Sequence, residues 1–87
     1  MQEERNEINP TEDEVAQRAI VLQVLRQDHV EPWTRAELES EIYDIEPLAI
    51  SDALAALDAD GVVDIAGEQV RASRAAWRLD ALGMVSI

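Results

Sequence analysis

Four residues near the C-terminal end have side chains suited to binding an anion: Gln69, Arg71, Arg74 and Arg78. Arg74 and Arg78 are four apart, so a helix would place them on one face. Arg71 precedes them on a candidate strand. Together they suit a contact to a nucleic-acid backbone or minor groove. They suit equally well the neutralisation of an acidic segment that holds Glu37, Glu39, Glu41 and Asp44, where each exposed pair is worth ~0–1 kcal/mol. Both roles stay open on the sequence.

Catalytic and metal chemistry find less support. The chain has one His, His29, and no Cys. Nucleophilic catalysis would need His29 to meet both a nucleophile and an orienting group. Its position after the first helical segment fits helix-end packing, where an imidazole suits the dipole. The stretch "DADG" holds part of a calcium loop. The full loop requires an acid two residues before Asp58 and a Glu seven after Asp60, and those places hold Ala56 and Gly67. No glycine-rich phosphate cradle occurs. The expectation is a non-enzymatic domain with no cofactor and no metal.

Charge sets the next constraint. The net charge is −12, and every one of the seven bases is Arg. Met1–Glu14 holds six acids and one Arg, and so does His29–Glu46. Pro47–Asp60 holds three acids and no base, while Gly61–Ile87 balances three acids with three Arg. Such a chain is repelled by phosphate backbones and by anionic membranes. High-salt adaptation or a GC-rich genome would leave the same composition. The longest apolar run, Ala53–Leu57, is far too short to span a bilayer. The first residues lack the apolar centre of a secretory signal. A cytoplasmic location is expected.

The elements that must position these groups follow from periodicity and caps. Residues 1–10 are polar and charged and read as a disordered acidic tail, with one domain over 11–87. Thr11 and Glu14 form a capping box ahead of a helix over about 12–28. Its apolar stripe is wide, which suits a central helix packed on several sides; a dimer contact through Val21 and Leu25 is the alternative. Residues 29–32 suit a short extended piece, because the residue before Pro32 is pushed out of the α region. Thr34 and Glu37 form a second capping box, with Trp33 and Leu38 spaced as a hydrophobic staple. That helix should run over about 35–43. Pro47 and Gly61 bracket a third helix over about 47–60, with Ile50, Ala53, Leu54 and Leu57 facing inward. Asp58 and Asp60 lie near its C-terminal end, against the dipole. "VVDIAGEQVRA" alternates as a hairpin turning at Gly67. Ser73 caps a fourth helix over about 74–82, ended by Gly83, and "MVSI" can add a short strand. Trp33 and Trp77 are assigned to the core with Leu38, Leu79 and Leu82.

This order resembles the winged helix-turn-helix domain of transcription regulators. The resemblance rests on "WTRAELESEI", "ISDALAALDADGVV" and "GEQVRASRAAWRLDALG" and covers about residues 11–87. It is similar to small winged-helix proteins common in actinobacteria. The implied fold is mainly α (α+β): a three-helix core, a β-hairpin wing and a C-terminal helix. The resemblance makes "ISDALAALDADGVV" the recognition helix, with Ser51, Asp52, Ala55 and Asp58 on its outer face. Base edges are read chiefly by Arg, Lys, Asn and Gln, and this face supplies none of them. Two functions are therefore expected. The first is a regulatory module that binds a protein partner or itself. The second is a transcription regulator that contacts DNA through its wing arginines. Charge favours the first, and no small-molecule substrate or membrane role is evident.

Overall fold

Thr34 begins a helix because two backbone groups find partners in a single exchange. The Glu37 amide donates to Thr34 Oγ1 at 3.1 Å, and the Thr34 amide donates to Glu37 Oε1 at 2.8 Å. This reciprocal box fixes the start of α2, Arg35–Glu41. Trp33 and Leu38, on either side of the cap, are both buried. The computed structural model describes residues 12–29 and 32–85. The tail over 1–10 and the Thr11 half of the first capping box lie outside them.

The described residues form four helices and one antiparallel three-stranded sheet, an α+β arrangement. The order is α1 (Glu12–Val24), β1 (Trp33–Thr34), α2, α3 (Pro47–Ala59), β2 (Val63–Ala66), β3 (Gln69–Ala72) and α4 (Arg74–Ala81). In the sheet, β3 lies between β1 and β2. Trp33 sits opposite Val70, and Val70 sits opposite Ile65. The pleat therefore sends Val63, Val70 and Ala72 inward and leaves Asp64 and Arg71 in solvent.

α1 packs chiefly on α3. Its buried line is Ala16, Ile20 and Val24, four residues apart, and it meets Ile50, Ala53, Leu54 and Leu57 of α3 in one core. Trp33, Leu38, Ile42, Val63 and Val70 complete that core. Both α3 and α4 end in the same device. Gly61 adopts φ 78°, with Val62 donating to the Leu57 carbonyl and Gly61 to that of Asp58. Gly83, at φ 75°, repeats the pattern with Leu79 and Asp80.

Several expectations require correction. α1 ends at Val24, four residues before Asp28, because the Arg26 amide turns to the Gln23 carbonyl and the i−4 ladder stops. Leu25, the residue that follows α1, is only 7% exposed and belongs to the core, so it is unavailable for a dimer face. The extended piece expected over 29–32 becomes a strand one step later, at Trp33–Thr34. Residues 30 and 31 lie outside the described ones. Trp33 is core, but Trp77 is only half-buried, and Leu79 and Leu82 are exposed. α4 leans mainly on β3, so its last turn runs past the core. No strand forms at residues 84 and 85.

Candidate interaction site

The outer face of α3 is built by the same periodicity that builds its inner face. Ile50, Ala53, Leu54 and Leu57 turn into the core, which leaves Ser51, Asp52, Ala55 and Asp58 outward. All four are exposed, as their spacing implies. From Ala36 to Val70 the chain contains no Lys or Arg. No cation of the surrounding sequence therefore softens the charge of Asp52 and Asp58. Asp58 stands in the last turn of α3 with no basic residue beside it.

The arginines are brought together only in part. Arg74 and Arg78 are exposed on one side of α4 and border a shallow open hollow with Ala75 and Trp77. Neither guanidinium is in an ion pair among the described residues. Arg71 is on β3, directly opposite Asp64 of β2. Side chains facing each other in this way have Cβ atoms about 4.5–5.5 Å apart, so Asp64 offsets part of the Arg71 charge. Gln69 opens the same strand and is exposed. The cationic face thus belongs to α4, and the wing strand is close to neutral.

No family model, curated protein or solved structure matches the chain. The geometry must carry the reading.

A cluster that sequence reasoning passed over lies at the end of α1. The His29 ring stacks on Trp33, with centroids 3.5 Å apart and planes 11° from parallel. His29 Nε2 is 3.3 Å from Glu37 Oε2. Arg26 binds Asp28 through two hydrogen bonds, of 3.0 and 2.6 Å, and lies 3.6 Å from Glu41. The Arg26 hydrogen bond holds the Asp28 carboxyl below its ordinary range, and Asp28 in turn raises the Arg26 guanidinium. The Glu37 carboxyl is held low first by the Thr34 amide and then by His29. These residues border a cavity of about 190 Å³ together with Ser40.

In this cluster His29 faces the Glu37 carboxylate. Ser40 shares the cavity, but its hydroxyl makes no hydrogen bond to the imidazole. His29 Nδ1 and Trp33 Nε1 are buried without partners. The contacts of His29 with Trp33 and Glu37 tie the segment after α1 to the start of α2. The spacing His29, Trp33, Glu37 is every fourth residue, yet it spans a break between helices, so no helical rule predicts it. Among the described residues no group of three or more His, Cys, Asp or Glu could hold a metal ion.

Val21 does reach a surface. It borders an open groove of about 650 Å³ with Val15, Leu22, Leu57, Val62 and Met84, and Arg18 on the rim. Of the two residues expected on a dimer face, only Val21 is placed to serve. No helix among the described residues is long and apolar enough to cross a membrane.

Proposed function

We propose that the chain is a non-enzymatic winged-helix regulatory module that binds a protein partner, or a second copy of itself, in preference to reading DNA with α3. The winged reading draws support from the element order and from the sheet order β1-β3-β2. The hairpin follows α3 directly, as a wing does, and β1 closes the sheet from between the first two helices. A short connection joins α2 to α3, the helix-turn-helix pair.

One observation carries the functional half. The outward face of α3 presents Ser51, Asp52, Ala55 and Asp58, with no cation. Duplex DNA carries one negative charge per ≈1.7 Å of axis, and affinity for it comes largely from cations that release counterions. Seating this face in a major groove sets carboxylates against phosphates and offers bases only the Ser51 hydroxyl and carboxylate acceptors. A basic protein surface meets the same face with opposite charge.

A second reading has its own observation. Arg74 and Arg78 flank Trp77, exposed and unpaired, so DNA contact through α4 with Gln69 and Arg71 of the wing is the alternative. Electrophoretic titration with random-sequence duplex over a range of salt separates the two. The proposal expects no retarded band at physiological ionic strength. A band that fades steeply with salt, and weakens in Arg74→Ala and Arg71→Ala, supports the alternative.

A further inference from the structure

Of the two most exposed large apolar side chains among the described residues, one lies in the α2–α3 connection and the other in the first turn of α3. Tyr43 is 87% exposed and Leu48 is 75% exposed. Their neighbours do the structural work there: Ile42 and Ile50 are buried and Ile45 packs against the core. A polar residue would serve the fold equally well at either place. A single exposed apolar residue is ordinary. This pair differs because Leu48 continues into the outer face of α3. Leu48, Ser51, Asp52 and Ala55 follow at intervals of three, four and seven, and therefore share one side of the helix. Ser51 and Ala55 are small, so that side is shallow enough for another helix to approach closely.

The charged residues from Tyr43 through α3 are all acidic. Asp44 and Glu46 lie in the connection between Tyr43 and Leu48, and Asp52 and Asp58 lie along α3; all four are exposed. None of them is in an ion pair among the described residues. Exposed apolar residues accompanied by unpaired carboxylates fit an apolar strip flanked by cations. Nucleic acid and anionic lipid are excluded by the same charge.

We infer that Tyr43 and Leu48 anchor a docking surface that continues along the outer face of α3, and that its occupant is a basic amphipathic helix of a partner protein. The inference rests on the proposed protein-binding role of α3 and adds to it the partner's chemistry. The partner's Leu-like side chains cover Leu48 and Tyr43, and its Arg or Lys side chains meet Asp44, Glu46, Asp52 and Asp58.

The test uses two fluorescent model peptides with the full-length chain at physiological ionic strength. One is a helical Leu/Arg peptide with Leu at i, i+3, i+4 and i+7. The other replaces every Leu with Ser and keeps the charge. Fluorescence anisotropy is expected to show the Leu/Arg peptide bound at least about tenfold more tightly than the Ser/Arg peptide. The double variant Tyr43→Ser, Leu48→Ser should lose about tenfold for the Leu/Arg peptide only, with an unchanged circular dichroism spectrum. Asp52→Asn with Asp58→Asn should weaken both peptides. Equal affinity for the two peptides, or wild-type affinity in the double Ser variant, overturns the anchors. If the Asn variant still loses affinity in that case, the acidic role of α3 survives without them. If neither variant alters binding, both fall. A concentration-dependent mass of the free protein that Leu48→Ser abolishes makes a second copy the occupant and overturns the inferred partner.

Discussion

α3 and α4 are both packed on one side and open to solvent on the other, and they show solvent opposite charges. The outer side of α3 carries Asp52 and Asp58 with no cation. The outer side of α4 carries Arg74 and Arg78 around Trp77. Their inner sides differ in degree. α3 buries Ile50, Ala53, Leu54 and Leu57, whereas α4 buries only Ala76. The helix best fixed by the core is thus the one that shows solvent only acidic charge. The helix suited to a polyanion is the one more loosely held. A domain that read DNA with its best-fixed helix would be expected to carry cations there.

The comparison breaks most visibly through the core. Leu54→Ala on the inner side of α3 should cost ~2–5 kcal/mol, because Leu54 is fully buried beneath α1 and the gap cannot close. Asp52→Asn on the outer side should stay within about 0.5 kcal/mol. Urea denaturation of the two variants measures both. If Asp52→Asn also unfolds the protein, the outer face is structural.

Reversing the charge of α3 tests whether its acids are what would keep it from DNA. Asp52→Arg with Asp58→Arg should create salt-dependent binding to random duplex. The plot of log affinity against log salt should steepen by roughly 0.9 for each phosphate that the new arginines neutralise. A variant that still ignores duplex would place the obstacle in shape and not in charge.

The starts of the two helices sharpen the contrast further. Ser73 Oγ accepts a hydrogen bond from the Ala76 amide at 3.1 Å, while Glu46 caps α3 with no side-chain bond. Ser73→Ala should therefore cost ~1 kcal/mol in thermal unfolding, and Glu46→Ala much less. Equal losses would show that α3 depends on its cap as much as α4 does.

The smallest effect is at α2, between the two. The Thr34 amide and His29 hold the Glu37 carboxyl below its ordinary range. A depressed folded-state value contributes stability that is complete above the unfolded value. That contribution is lost as pH falls through the folded one. Melting temperature against pH should thus decline more steeply on the acid side for the wild type than for Glu37→Gln. Parallel profiles would remove the contribution.

Much of this arrangement was legible in the residues. Caps and turns are local, so Thr34 with Glu37, Ser73, Gly61 and Gly83 could be read directly, and the alternation marked the hairpin. The outer face of α3 was legible for the same reason, since one helical period fixes both sides. Legibility failed where distant parts decide. Leu25 fits a surface stripe by spacing, but the core encloses it at the end of α1. Leu79 and Leu82 fit a core stripe by spacing, but both are exposed, because α4 runs past the core. The His29–Trp33–Glu37 stack joins two elements across a break, and periodicity within one element does not reach it. Arg71 could not be known to face Asp64 until the hairpin register was fixed.

The most direct measurement is a map of backbone amide shifts on adding random-sequence duplex at physiological ionic strength. The amides of Ser51, Asp52, Ala55 and Asp58 are expected not to move, with any weak response confined to Gln69, Arg71, Arg74 and Arg78. Saturable shifts centred on Ser51 and Asp52 would contradict the proposed role of α3.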